Sequence, residues 1–377
     1  MDIKDNFAVR NECVFCSCKL EKTLFEKDFE NYVSHYAVDQ DSDQFHLIPY
    51  NVLICDECKT PQIKYLGDIH EVYKINHADG TGSTMSMMHQ NKLNLLLKHK
   101  NNIKGILEIG SSKGILADLI LENINIDYFI VEPSYIGDIK NKTIINNYYE
   151  NIDDTQINAN TIVMSHVFEH FYNPLIILEK IKNNSNIENV FLTFPNFERY
   201  VEKGIHHVLN TEHTFYVDNN FIKDIFAKFE FELVECSFFK DHSVFFYFKR
   251  NSNINKNVQL KNKIDNIDSY FKGIFKTVEK FNSIIKSNKE KEIYIFPASC
   301  HSIFLSIFGL NYKNISGMVD NSLNKIGKKI YGLNNTIYSF NDIINTKKDS
   351  IFLINGGVFN EEIENILKLN NIEYYVG

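Results

Sequence analysis

Three short stretches of this 377-residue chain carry residue types that do chemistry. "CVFC" at 13–16 and "CDEC" at 55–58 are two Cys-x-x-Cys knuckles. Each knuckle offers two thiolates from a tight turn whose amides can hydrogen-bond sulfur, and two knuckles complete a tetrahedral zinc site. The expected ligands are Cys13, Cys16, Cys55 and Cys58. Cys18 rivals Cys16, but a Cys-x-Cys bite would break the symmetry of the knuckles. Four protein ligands leave no open position, so such a metal holds the fold rather than catalyses. The second stretch is "LEIGSSKG" at 107–114, with an acid, Glu108, two residues ahead of Gly110 and a second glycine at Gly114. The third, "IHHVLNTEHTF" at 205–215, packs three histidines and a glutamate among apolar and neutral neighbours.

The elements that must position these residues follow from periodicity. Residues 85–100 read as an amphipathic helix, after which 106–109 is a short apolar strand, 110–114 a loop and 115–121 the start of a helix. A loop bracketed by glycines lets backbone approach a ligand at the carboxyl edge of a parallel sheet. A dinucleotide fold would place Gly-x-Gly-x-x-Gly there, and Glu108 would repel a pyrophosphate. The acid suits a ligand with a cationic amino-acid end, as in S-adenosylmethionine. The next strand, "DYFIVEPS", ends in Glu132, placed to accept from both hydroxyls of a ribose. A third, 161–164, runs into Ser165 and His166 at the same edge as cofactor-side contacts. "NVFLTFPN" is a further strand, and "FELVECSFFKDHSVFFYFKR" a closing antiparallel pair. Glu108, Gly110, Gly114 and Glu132 in register on successive strands point to an α/β class I methyltransferase core of Rossmann-like form.

Bulk composition narrows the alternatives. The length suggests two or three domains, and 44% hydrophobic with 23% charged residues describes a globular chain. A net charge of −8 argues against sequence-independent nucleic-acid binding. The segment "DQDSDQF" between the knuckles is acidic where a nucleic-acid zinc ribbon would be basic. No window approaches eighteen apolar residues and the start lacks the layout of a signal peptide, so no membrane partner and a cytoplasmic location are expected. Five of the seven cysteines fall in the first sixty residues, unlike a disulfide framework; Cys236 and Cys300, in apolar runs, read as small buried side chains.

With these residues in view, the chain resembles the sugar C-methyltransferases that act on nucleotide-linked deoxysugars. The resemblance spans nearly the whole chain: "CVFC" and "CDECKTPQI", then "LEIGSSKG", "VEPS" and "HVFEHFYNP", then "TEHTFYV", then a final Rossmann-like domain. It implies a structural zinc ion, S-adenosylmethionine as methyl donor, and transfer to a ring carbon beside the keto group of a nucleotide-linked 4-keto sugar. It also implies His213 as base, Glu212 as an orienting or substrate-binding carboxylate and His170 as a helper to the enolate. The family segment commonly reads Tyr-His-Glu-His where this chain has Asn210, Thr211, Glu212 and His213. A family tyrosine near the start of the middle domain also has no clear match; Tyr73 and His77 stand in that region. The two phenols would have held the sugar or its oxyanion, so an oxygen methyltransferase is the alternative. His206 and His207 read as scaffold, and His89 as structure rather than chemistry.

The expected organisation is a zinc-binding module at 1–75, a methyltransferase domain at 76–250, and a linker with a C-terminal Rossmann-like domain at 251–377. In the last domain Asp320, Lys325 and Gly327 match the family pattern, but "FPASCHS" replaces its glycine-rich turn. That domain either binds a ligand or packs to shape the substrate cleft. A nicotinamide oxidoreductase is disfavoured because neither glycine loop matches its fingerprint. The small-molecule enzyme is expected as a monomer or homodimer.

Overall fold

Strands buried on both faces read as continuous apolar runs rather than as alternation. Three such runs, β7 (Gly105–Ile109), β10 (Thr161–Ser165) and β11 (Asn189–Pro195), lie at the centre of the largest sheet. The computed structural model describes residues 7–27, 37–38, 50–73, 82–299, 302, 304–330, 333–346 and 349–377. His77, Cys300 and the side chain of His207 lie outside that description.

The large sheet is completed by β8 (Asp127–Val131), β9 (Thr143–Ile145), β12 (Phe231–Phe239) and β13 (Ser243–Arg250), in the order β12-β13-β11-β10-β7-β8-β9. Strands β7 to β11 are parallel; β13 runs antiparallel to β11 and β12 antiparallel to β13, the expected closing pair. This is the class I methyltransferase fold. The strand order reverses beside β7, and ligands bind open α/β sheets in the crevice at such a point. Cys236 departs from expectation: it sits exposed on the edge strand β12, between exposed Val234 and Phe238. An edge strand presents alternate residues to solvent, so the apolar run does not imply burial there.

The N-terminal residues form small antiparallel sheets. β1 (Ala8–Val9) pairs with β6 (Tyr65–Leu66), and β2 (Lys22–Lys27), β4 (Tyr50–Ile54) and β5 (Pro61–Ile63) form a three-stranded sheet. β3 (Ala37–Val38) pairs instead with β16 (Lys329–Ile330) near the other end of the chain.

Four helices frame the crevice. α1 (Ile69–Val72) precedes α2 (Ser83–Lys98), and α3 (Ile115–Asn123) follows the glycine loop. α4 (Pro174–Asn183), with proline in its first turn, packs Ile177, Leu178 and Ile181 into the core. Two shorter-range helices, α5 (Phe197–Lys203) and α6 (Asn219–Lys228), bracket the histidine-rich segment. Gly204 ends α5 at φ 66° and Asp218 caps α6 through the amide of Phe221, so the segment between is a connection rather than a helix.

α7 (Ile267–Ser287) buries Tyr270, Phe271, Ile274, Val278, Phe281 and Ile285, one face at helical spacing. It leads into a second parallel sheet, β17-β15-β14-β18-β19, built from β14 (Glu292–Phe296), β15 (Gly317–Val319), β17 (Ile337–Tyr338), β18 (Ser350–Ile354) and β19 (Glu373–Val376). α8 (Phe340–Asn345) and α9 (Asn360–Leu369) cover it. One apolar core joins Tyr50 and Val52 of the N-terminal sheet, Val208 and Tyr216 of the histidine segment, and Phe271 and Ile295 of the last domain.

Candidate active site and metal centre

The four knuckle sulfurs converge. Cys13, Cys16, Cys55 and Cys58 hold their Sγ atoms within 4.8 Å of one another, with 3.4 Å between Cys13 and Cys58 and 3.5 Å between Cys16 and Cys55. Tetrahedral zinc with Zn–S near 2.3 Å sets sulfurs about 3.8 Å apart, so the donor set and spacing are compatible with that ion. Gln62 donates to Cys13 Sγ at 3.0 Å and Thr60 Oγ1 lies 3.2 Å from Cys58 Sγ, the surrounding shell a thiolate centre uses. Cys18 stands outside the group, its Sγ directed to the Cys16 carbonyl at 3.7 Å.

At the carboxyl edge of the large sheet the glycine loop folds tightly. Gly110 has φ 71°, and a Cβ there would meet Val167 at 2.4 Å; Gly114, at φ 72°, would meet the Tyr135 hydroxyl at 2.5 Å. Both positions therefore need glycine. Glu132 lies on the cavity wall, accepting from the amides of Ser112 (3.0 Å) and Ser134 (3.1 Å), which fixes its carboxylate at the edge of β8. Glu108 is placed differently from expectation. Its carboxylate is buried behind the loop, taking Ser111 Oγ at 2.9 Å and the Tyr128 hydroxyl at 2.8 Å, and burial pushes its pKa up. It braces the loop rather than lining the cavity. Ser165 likewise turns inward, accepting from buried Lys92 Nζ at 2.6 Å.

The histidines separate into distinct environments. His206 stacks on Tyr270 and donates from Nε2 to its carbonyl at 2.7 Å; burial lowers its pKa to about 4, so the ring is neutral scaffold. His89, also lowered to about 4 by burial and by Lys92, lies off the cavity. His166 lines the cavity at φ 55°, with Nδ1 3.1 Å from Glu169 Oε1 and Nε2 2.9 Å from Ser243 Oγ. Its tie to Glu169 makes it as much a part of the histidine cluster as of the cofactor edge.

His213 and His170 lie side by side on the cavity wall, edge to face, with ring centroids 5.0 Å apart. His213 Nδ1 lies 2.7 Å from the Val208 carbonyl. A carbonyl only accepts, so Nδ1 carries the proton and Nε2 of the neutral ring keeps its lone pair. That Nε2 is 4.0 Å from Glu169 Oε1, whereas Glu212 Oε2 lies 3.8 Å from His170 Nδ1. The sequence pairing of Glu212 with His213 is thus exchanged: each histidine has the other's neighbouring carboxylate. Adjacent residues 212 and 213 point apart, and the turn at 168–170 supplies the partner instead. Burial pushes Glu169 up to about 7 while His213 pulls it back, so the carboxyl is poised near neutrality.

One residue here escaped the sequence reading, and one offered by it finds a place. Glu169 was visible only as the neighbour of His170, with no pattern separating it from an ordinary acid. Tyr73, one of two residues offered near the start of the middle domain, reaches the site: its hydroxyl lies 2.8 Å from His170 Nδ1.

The segment carrying His213 is held from the N-terminal side. Ile63 N donates to Thr214 O at 3.0 Å and Tyr216 N to Pro61 O at 3.0 Å, continuing β5 into this connection. Arg10, buried, donates to Thr214 O at 2.6 Å and to Tyr172 O at 2.8 Å. From the last domain come Pro297, Ser299, Asp320 and Lys325, the last two paired at 3.0 Å, closing a cavity of about 470 Å³ that Glu132, His170 and His213 also line. That volume is in the range of small-molecule and cofactor sites. No helix among the described residues is long and apolar enough to cross a membrane.

Residues 87–236 match the family described as Methyltransferase domain. No curated protein sequence matches the chain. Among solved structures the chain is similar to 1,6-didemethyltoxoflavin-N1-methyltransferase of Burkholderia thailandensis, solved with S-adenosylhomocysteine (8% identity, 44% of this chain and 78% of that one, TM-score 0.36). It is similar also to magnesium protoporphyrin IX methyltransferase of Synechocystis PCC 6803 (13% identity, 46% and 90%, TM-score 0.34) and to N-methyltransferase NodS of Bradyrhizobium japonicum WM9 (10% identity, 45% and 97%, TM-score 0.34). Superpositions this loose carry no weight alone; the matched sequence span and the site's own geometry do. With a Methyltransferase domain matched over 87–236 and a class I sheet whose switch point carries a glycine loop, this chain is an S-adenosylmethionine-dependent methyltransferase.

Proposed function

We propose that the enzyme methylates a ring carbon next to the carbonyl of a nucleotide-linked keto sugar, with zinc held structurally by Cys13, Cys16, Cys55 and Cys58. The carrying observation is His213: its Nδ1–H is locked on the Val208 carbonyl, which leaves a basic Nε2, 4.0 Å from Glu169, on a ring that lines the cavity. Bound S-adenosylmethionine supplies the methyl group as a sulfonium, with Glu132 at its ribose and the 110–114 loop against it. His213 Nε2 removes the proton alpha to the carbonyl, and the released electron pair is delocalised onto the carbonyl oxygen. The carbon would then take the methyl group as the S–CH3 bond of the sulfonium breaks, its electron pair staying on sulfur so that S-adenosylhomocysteine leaves, while the proton stays on the imidazolium until solvent takes it. Ionised Glu169 stabilises that imidazolium. His170, with Tyr73 and Glu212 about it, lies where it can donate toward the enolate. The last domain, through Ser299, Asp320 and Lys325, borders the same cavity and is read as the wall facing the nucleotide-linked portion.

Labelled-methyl transfer across nucleoside-diphosphate keto sugars and their reduced counterparts tests this reading. Label is expected in a keto sugar, and His213→Gln is expected to stop it. Transfer only to the reduced, hydroxyl-bearing sugars would favour the oxygen-methylating alternative.

A further inference from the structure

Asn210 lines the cavity yet is only 2% exposed. Its Oδ1 accepts from the amides of Glu212 at 2.8 Å and His213 at 2.7 Å, an Asx turn that shapes the backbone carrying both residues. Because two N–H groups converge on that atom, it must be the oxygen; the orientation of the side-chain amide is settled. Its Nδ2 is therefore turned away from the turn. That nitrogen is buried and has no hydrogen-bond partner among the described residues. The main chain here is held as well: the Tyr216 hydroxyl donates to the backbone carbonyl of Asn210 at 3.3 Å, and Tyr50 lies 3.1 Å from the Tyr216 hydroxyl, both tyrosines fully buried. Buried donors in folded proteins are paired, and on a residue that lines a cavity a group entering the cavity can supply the partner.

We propose that Asn210 Nδ2 donates to the substrate's carbonyl oxygen and strengthens that bond as the oxygen gains charge on enolisation. The inference rests on the reading of His213 as base, and it adds which oxygen is recognised and by what. An amide nitrogen only donates, so its partner is an acceptor; a donor fixed before reaction favours the charged enolate over the neutral ketone. The same turn that fixes the donor fixes the base, so both keep one spacing to the reacting carbon and its carbonyl. In the step itself the alpha C–H bond breaks, its proton goes to His213 Nε2, and its electron pair moves to oxygen; Asn210 keeps both its protons.

The test separates enolisation from methyl transfer. Full-length enzyme with S-adenosylhomocysteine is incubated in heavy water with nucleoside-diphosphate 4-keto-6-deoxyhexoses carrying thymine, uracil, guanine or cytosine, and exchange of the alpha proton is followed by NMR. Asn210→Asp retains an oxygen for the Asx turn but replaces the donor with an acceptor; Asn210→Ser retains a turn acceptor without the donor. Both are expected to lower exchange and kcat by roughly 10²–10³-fold, with S-adenosylhomocysteine affinity and melting temperature close to wild type. Exchange by Asn210→Asp within about threefold of wild type overturns the assignment, threefold being far below what loss of an oxyanion donor costs. Activity lost in step with S-adenosylhomocysteine binding overturns it too, because a donor to the substrate has no part in holding the cofactor. If wild-type enzyme exchanges no keto sugar while still methylating a reduced one, the carbon-methylation reading itself fails.

Discussion

The N-terminal module and the C-terminal domain both border the cavity, but they are joined to it by different kinds of bond. The module continues into the histidine segment through backbone pairing of β5, and Arg10 reaches two carbonyls of the site from within the core. The C-terminal part reaches the start of the histidine segment through Tyr270, which stacks on His206, and meets the first helix of the methyltransferase core through a carboxylate. Glu362 on α9 takes Thr84 Oγ1 at 2.9 Å and the amides of Ser83 and Thr84 at 3.3 and 3.4 Å, capping α2 from across the cavity. Backbone pairing in a buried core fixes position; a part-exposed carboxylate at a helix start adds a smaller, screened term. On the proposed reading, the module holds His213 and the C-terminal domain shapes the opposite wall.

The largest way to break that contrast is at the metal centre. Cys55→Ser, or prolonged chelation, is expected to abolish methyl transfer and lower the melting temperature sharply. A structural zinc ion contributes on the order of 10 kcal/mol, and β5 lies directly after the second knuckle. Metal analysis of the purified protein should give one zinc per chain. Full activity in zinc-free protein would remove the module from any role in holding His213.

Next comes the base itself. His213→Gln is expected to lower kcat by about 10²–10⁴-fold with S-adenosylhomocysteine binding unchanged by calorimetry, as loss of a general base should. On the cofactor edge, Glu132→Gln should do the reverse, weakening S-adenosylhomocysteine by roughly tenfold or more, as loss of a charged acceptor costs about 1.5–3 kcal/mol.

A pH profile sharpens the same comparison. Glu169 has its pKa raised by burial from 4.5 to about 7. If its ionised form holds the imidazolium of His213, kcat/KM rises with pH through about 7, and Glu169→Gln removes that limb. Stability has the opposite sign: the folded state binds this proton more tightly than the unfolded chain. The contribution is fully present below about 4.5 and is lost as pH rises through about 7. Thermal melts of wild type and Glu169→Gln across that window measure it.

The smallest effect is expected at the clasp. Glu362→Ala should cost about 1 kcal/mol of stability, in the range of a lost helix cap, and leave S-adenosylhomocysteine affinity near wild type.

The same two regions show what a sequence discloses. The large sheet was legible because buried parallel strands are continuous apolar runs and because a glycine loop after one of them has few other uses. The short strand β9 and the reach of β3 to β16 were not, since strands of two or three residues carry no period. The knuckle cysteines were legible by spacing alone, and the geometry separated Cys16 from Cys18. Within the site, residue types were legible but pairings were not. Glu212 stands next to His213 in the chain, yet a turn directs their side chains apart and a carboxylate over forty residues away takes that place. Asn210 read as a departure from the family's tyrosine, and only the Asx turn reveals which of its side-chain atoms is left over for another partner. Cys236 misled because an edge strand can be apolar and exposed together.

The central claim is that a base in this cavity makes carbon the methyl acceptor. NMR of the product formed from S-adenosylmethionine carrying a ¹³C methyl group tests it most directly. The account predicts one-bond coupling of the labelled methyl to a ring carbon of the sugar, on the carbon beside the carbonyl; a labelled methoxy signal, coupled to no ring carbon through a single bond, would contradict it.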